Sequence, residues 1–302
     1  MKTFRTFLIL SATAILLFSC SGKLAENHAN GIVQDILKTR RMMEAGPLCS
    51  NGCIFISVWD FDGTIIKGDC TEGLTENGRE IFRGLARSAI EAGFSKKYGK
   101  GEFEKFWKDY KTLEEKNHTE AYTFLAKIFA GAEDSRVRAH SASRFQETMK
   151  NYYFQSSVEI MGQLSRGGIV NYIVSASPLF FVLGSSKTIG VPEDRISGIE
   201  TEIQGGLLTD RIVPPVNYAE GKVERIKKIL DSAQREANGK KVILLAGFGN
   251  SYHTDGPFLK WIHERTLSSG HTVSVMINGG ETPPEYKGLF TEVDQDRTAG
   301  GM

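Results

Sequence analysis

Asp60 and Asp62 stand two residues apart in Asp60-Phe61-Asp62-Gly63-Thr64, directly after the apolar run Ile54-Phe55-Ile56-Ser57-Val58-Trp59. Two carboxylates at this spacing can divide one reaction between them. One attacks an electrophilic phosphorus; the other protonates the leaving oxygen and then takes a proton from water. A phosphate repels a bare carboxylate, so this chemistry needs a cation between the two. The plainer alternative is a solvated Asp-Gly turn, which is the ordinary reading of a lone Asp-Gly. It is weaker here, because the pair follows a run apolar enough to be a strand buried on both faces.

Three later segments carry groups that such a reaction would use. Ser175-Ala176-Ser177 ends a second apolar run, Ile169-Val170-Asn171-Tyr172-Ile173-Val174, where the Ser175 hydroxyl and free amides such as that of Ala176 can hold a phosphate oxygen. Gly221-Lys222 opens a helix and brings a cation that would neutralise both phosphate and Asp60. Gly249-Asn250-Ser251-Tyr252-His253-Thr254-Asp255 follows a third run, Val242 to Ala246, and the oxygens of Asn250 and Asp255 suit a hard divalent cation. Each signal is weak alone. Serines end many strands, most lysines are solvated, and Asx-rich loops precede many helices.

In this order the four segments resemble the four motifs of the haloacid dehalogenase superfamily of hydrolases, over roughly Ile54 to Ile277. The segment Gly198 to Lys222, with its Pro214-Pro215 and Gly-Lys, resembles the phosphoserine phosphatase-like branch. The resemblance implies a magnesium-dependent phosphomonoesterase working through an aspartyl-phosphate. Asp60 would be the nucleophile and a magnesium ligand. Asp62 would be the general acid/base and bind magnesium through its backbone carbonyl. Thr64 would shape the motif turn, Ser175, Ala176 and Lys222 would bind phosphate, and Asn250 would ligate the metal with Asp255 nearby. In one departure, Asn250 stands where the family usually has Asp, which removes one negative charge from the metal site. The resemblance disfavours two neighbours. A dehalogenase lacks the acid/base at the place of Asp62, and transport ATPases carry Lys where this chain has Phe61. A phosphotransferase, or a degenerate member that only binds phosphate or a partner, remains as an alternative. In phosphoserine phosphatases an acidic residue nine positions after the nucleophile meets the substrate's ammonium; here that residue is Asp69. The substrate expected is therefore a small phosphate ester, with amino-alcohol phosphates ranked first. Otherwise Asp69 only caps the first helix of the insert.

Strands alternating with helices predict an α/β protein: a Rossmann-like, doubly wound, mainly parallel sheet with an inserted α-helical cap. The core is expected at 51–68 and 155–302. Between them, at 69–154, strand signals fade and aromatics such as Phe103, Phe106, Trp107 and Tyr110 recur at helical spacing, matching the superfamily's C1 cap. A helix starting near Thr119 belongs to this insert. Ile199 to Ile203, Gly205-Gly206 and Leu207 to Val213 read as a hairpin. The tail after Gly279 is polar and weakly patterned. The six histidines show no metal spacing.

The chain's 302 residues include 37 basic and 36 acidic side chains, so charge gives no case for a nucleic-acid partner. Lys2 and Arg5 precede an uncharged run, Thr6 to Phe18, too short to span a bilayer comfortably and laid out as an export signal. Its end, Leu17-Phe18-Ser19-Cys20, is similar to a bacterial lipoprotein signal. This predicts a signal at 1–20, a lipidated Cys20, a tether and helix at 21–50, and a membrane-anchored protein of the periplasm or cell surface; the alternative is an ordinary cleaved signal or an uncleaved anchor. In such a compartment Cys49 and Cys53 can pair and leave Cys70 alone; otherwise all three are free thiols.

Overall fold

The computed structural model describes residues 29–300. The expected signal, Cys20 and the first part of the expected tether lie outside the described residues. Helix α1 occupies 29–44, and Ile32, Val33, Ile36 and Met43 bury its apolar stripe in the main core. A disulfide joins Cys49 to Cys53, while Cys70 is free and buried. Strand β1 (Cys53–Trp59) follows. A segment with hairpin β2 (Gly73–Glu76) and β3 (Arg79–Arg83) and helices α2 (Leu85–Glu91), α3 (Phe103–Glu114), α4 (His118–Lys127) and α5 (Asp134–Arg144) intervenes before α6 (Gln155–Arg166) and β4 (Ile169–Pro178). The short turns α7 (Leu179–Val182) and α8 (Ser186–Ile189) lead to β5 (Ile196–Gln204) and β6 (Leu207–Val213). Then come α9 (Glu220–Glu236), β7 (Lys241–Gly249), α10 (Gly256–His263), β8 (Val273–Ile277) and β9 (Thr291–Val293).

The seven-stranded sheet has the order β6-β5-β4-β1-β7-β8-β9, and only β6 runs antiparallel to its neighbour. The expected α/β sheet is therefore present. β1 lies in the middle. Phe55, Ile56, Val58 and Trp59 are all at 2% exposure or less, and burial of each such side chain contributes about 1.5–3 kcal/mol. Phe55 and Trp59 face the core made with α1, α6 and the insert, while Ile56 and Val58 face α9 and α10. Trp59 stacks on Phe248 with centroids 3.6 Å apart, and its Nε1 donates to Ser57 Oγ and Asn171 Oδ1, both at 3.1 Å. From β1 the chain builds outward to β4 and β5, then crosses to β7 and β8. The strand order reverses beside β1, so a crevice opens at its carboxyl end.

The insert is helical for most of its length but not throughout. Asn77 and Gly78 both take positive φ, +50° and +75°, and turn β2 into β3. Asn-Gly is a strong hairpin signal; the charged residues around it mask the alternation that would mark the strands. Helix α4 is capped by the Asn117 side chain, which accepts from Glu120 N at 3.1 Å, two residues before the expected Thr119. Hairpin β5–β6 turns at Gly205 and Gly206, as their positive φ permits. Its tip bonds the insert: Gly131 N donates to Leu208 O at 2.7 Å, and Asp134 N to Gly206 O at 3.0 Å.

The tail is more ordered than its polar composition predicts. β9 closes the sheet, and the chain then returns beside 151–155. Gln155 N donates to Arg297 O, Ala299 N to Tyr153 O and Gly300 N to Asn151 O. Backbone pairing rather than side-chain pattern holds it, so hydropathy does not reveal it.

Candidate active site

The site lies at the carboxyl ends of β1, β4 and β7 and at the start of α9. Asp60 leaves β1 with its N–H donating to Phe248 O at 2.8 Å. Its side chain is held on both sides. Thr64 Oγ1 donates to Asp60 Oδ2 at 2.9 Å, and Lys222 Nζ donates to Asp60 Oδ1 at 2.6 Å. Lys222 also donates to Asp255 Oδ1 at 2.6 Å, and both Lys222 and Asp255 are fully buried. Asp255 Oδ2 accepts from the N–H groups of Asn250 and Ser251, so Asp255 clamps its own loop to the ammonium rather than standing open.

Asp62 faces other partners. Its Oδ1 accepts from Cys70 N at 2.6 Å, and its Oδ2 accepts from Ser177 Oγ at 2.7 Å and Ser175 Oγ at 3.3 Å. Ser177 is a site residue that the motif match passes over. A signal was present, because residues two apart on a strand share a face, so Ser177 follows Ser175 toward the same carboxylate. Thr71 extends the network by donating to Ser177 Oγ at 2.9 Å. Ala176 sits in β4 between the two serines.

Backbone geometry lets the loops approach. Gly63 has φ +72°, and a Cβ there would lie 1.9 Å from Asn250 Nδ2. Only glycine lets the Asn250 amide lie against the turn after Asp60. Gly221 fits as tightly, since its Cβ would meet Val216 O at 1.8 Å. Ala219 holds φ +46°, an uncommon conformation for a residue with a Cβ, just before α9 presents Lys222.

Burial dominates the electrostatics. It pushes the Asp60 carboxyl up to about 7; Asp255 adds to the rise and Lys222 opposes it. Burial also raises Asp62, against the pull of the Cys70 N–H and the Ser177 hydroxyl. Burial alone would lower the Lys222 ammonium, but Asp255 and Asp60 outweigh it and hold it above the ordinary lysine value. Asp60 and Asp255 thus share one ammonium, and Asp62 stands beside them with only neutral donors, a surplus of negative charge that a dication fits. The oxygens expected to hold it, on Asp60, Asp62 and Asn250, are hard donors of the kind magnesium takes. A second grouping, Asp62, Asp69 and Cys70, has ligand atoms within 4.8 Å of one another. It fits magnesium poorly, because burial holds the Cys70 thiol well above its ordinary value and a neutral thiol is a soft, weak ligand.

Asp69 lies beside this centre. Its Oδ1 accepts from Thr71 N and Glu72 N, so it caps the turn into β2 rather than a helix. Burial, then Asp62 and Glu72, raise its carboxyl well above the ordinary range. Glu72 accepts from Tyr110 OH at 2.5 Å and from Lys111 Nζ at 3.3 Å. Of the aromatics that could face a substrate, Phe106 and Tyr110 are buried, and Trp107 carries Lys111 over its ring. Across the gap between insert and sheet, Tyr122 packs on Tyr218, and His118 meets both Tyr218 and His253.

A mainly parallel sheet flanked by helices, with a largely helical insert between β1 and β4, defines a Rossmann-like α/β protein. The chain belongs to the haloacid dehalogenase-like hydrolase family, whose model matches residues 57–260. Among solved structures it is similar to a protein of unknown function from Bordetella pertussis Tohama I, at 16% identity and TM-score 0.59 over 80% of this chain and 99% of that one. It is also similar to a functionally unknown protein from Anaerococcus prevotii DSM 20548, at 14% identity and TM-score 0.54 over 83% and 85%. A third is cytosolic 5'-nucleotidase IIIB bound to cytidine, at 17% identity and TM-score 0.50 over 82% and 76%. At these identities the likeness is one of fold. No curated protein matches the chain.

Proposed function

We propose that the chain is a magnesium-dependent phosphomonoesterase that passes through an aspartyl-phosphate on Asp60. One observation carries this reading: Asp60 is held between Thr64 and Lys222 while Asp62, two residues on, is held by different partners. One carboxylate is thereby aimed and charge-balanced by a cation, and the other is held apart from that cation by neutral amide and hydroxyl donors.

Asp60 attacks phosphorus, and the bond from phosphorus to the ester oxygen breaks. Asp62, kept protonated more readily by its burial, gives its proton to that oxygen as it leaves. Asp62 then takes a proton from water, and the water's oxygen attacks the acyl phosphate, restoring Asp60. Ser175 and the Ala176 amide hold a phosphate oxygen, and Lys222 offsets charge on the phosphate and Asp60. Magnesium, held by Asp60, the Asp62 carbonyl and Asn250, would supply charge neutralisation that lets an anionic ester approach a carboxylate.

The substrate we favour is a small amino-alcohol phosphate. Asp69, Glu72 and Glu114 outnumber the cation Lys111 in one region of the insert, with Tyr122 beside them; all three carboxylates push up the Tyr122 hydroxyl, after burial. A net-negative wall with an aromatic face suits a cationic leaving group. The test is hydrolysis of p-nitrophenyl phosphate, phosphocholine and glycerol phosphate with magnesium and with excess chelator. We expect activity only with metal, a higher kcat/KM for phosphocholine than for glycerol phosphate, and tighter magnesium binding in Asn250→Asp. Full turnover in chelator would remove magnesium from the reading. Transfer to an added alcohol with no net hydrolysis would favour a phosphotransferase, and no phosphate release at all a binding protein.

We also read 1–20 as a lipoprotein signal and place the protein at a membrane of the periplasm or cell surface. The Cys49–Cys53 disulfide supports export, because such bonds persist in oxidising compartments. A fatty-acid probe should label the wild type and not Cys20→Ser. An unlabelled wild type would defeat this reading.

A further inference from the structure

We propose that Gln295, near the end of the described chain, is a positioning residue for the nucleophile; this rests on the phosphatase reading above. Thr64 is the link. It is fully buried, and its hydroxyl holds Asp60 Oδ2. Its carbonyl accepts from two donors, Ser157 Oγ at 2.6 Å and Gln295 Nε2 at 3.0 Å. The carbonyl and the hydroxyl belong to one residue, so a turn of this peptide would carry the hydroxyl away from Asp60.

Gln295 is itself fixed. Its N–H donates to Asn278 Oδ1 at 2.7 Å, and its carbonyl accepts from Asn278 Nδ2 at 2.8 Å. Its side-chain oxygen accepts from the Ser156 hydroxyl. Asn278 follows β8 directly and has φ +52°, so the clamp is anchored at the end of a sheet strand. The rest of the catalytic turn is backed through the same layer. Phe154 N donates to Ile65 O and Lys67 N to Tyr152 O, and 151–155 is bonded in turn to 297–300. Gln295 touches no reacting group. It acts by holding the Thr64 peptide, and through it the aim of Asp60.

Gln295→Glu keeps the shape and the backbone pair with Asn278 but replaces the donor to Thr64 O with an acceptor. Gln295→Met removes the donor without adding charge. With p-nitrophenyl phosphate we expect kcat to fall about 10- to 100-fold in both, the range a small misplacement of a reacting group produces. KM should stay within about 2-fold and the thermal midpoint within a few degrees. In a Thr64→Val background, where the hydroxyl is already gone, the further loss should shrink to less than about 2-fold. Hydrogen exchange should quicken in 60–67 and stay unchanged in β8. Unchanged kcat, an equal loss in both backgrounds, or a loss matched by a collapse in thermal midpoint would overturn the proposal. If the wild type proves no more active than Asp60→Asn, the phosphatase reading fails, and exchange in 60–67 still decides whether Gln295 holds the turn.

Discussion

Asp60→Asn should lose turnover by more than about 10⁴-fold, because an amide oxygen cannot form the acyl phosphate and no neighbour replaces it. Asp62→Asn should lose less, about 10²–10⁴-fold, since it removes only proton transfer. The Asp60 substitution should also leave a signature in stability without metal. The folded carboxyl is pushed up to about 7 from an ordinary 3.8. Between those values the folded Asp60 binds more protons than the unfolded one, so its contribution to stability is fully present at low pH and is lost as pH rises toward 7. Asparagine does not titrate. Measured in chelator, the stability of Asp60→Asn relative to wild type should therefore increase from pH 5 to pH 7, by at most ~3 kcal/mol at 1.36 kcal/mol per unit. Magnesium should remove the trend in the wild type. A variant that keeps activity sinks the mechanism; a flat stability difference sinks the electrostatic account.

Lys222→Met should be a costly change to the fold as well as to the site. Its ammonium is the bonded cation between Asp60 and Asp255, and none of the three is more than 7% exposed at the side chain. Removing one partner of a buried ionic group leaves charge uncompensated and costs about 3–5 kcal/mol. Part of that loss should return with saturating magnesium, which offsets the same carboxylates, and part in Lys222→Met/Asp255→Asn, which removes one of them. Denaturant midpoints for the three proteins check this. A loss of under about 1 kcal/mol in Lys222→Met would mean that the triad is not the electrostatic keystone of the site.

The strand core was legible because β1, β4, β7 and β8 are apolar runs bounded by glycines and loops, and the site lies at their ends. Motif spacing singled out Asp60, Asp62, Lys222 and Asn250, because each stands at a strand end or helix start that the pattern marks, and the structure places them at the carboxyl ends of β1 and β7 and the start of α9. Four features were less visible. Ser177 shares its partner Asp62 with Ser175 and is marked only by the two-residue alternation of the strand, and Asp255 faces a lysine rather than open space. The β2–β3 hairpin is so charged that only Asn77-Gly78 betrays it. The tail's role rests on backbone bonds and one glutamine amide, which hydropathy cannot register.

The bond between Gln295 and the Thr64 carbonyl spans 231 positions of sequence. Contacts that far apart close late, since the intervening chain must first be ordered, and topologies rich in them fold slowly. During synthesis β1 and the Asp60 turn emerge early, yet the layer that backs them waits for β8, β9 and the segment beyond. An incomplete chain can therefore carry all four motifs and still lack the finished turn, so the assembled Asp60 turn is a late product of folding.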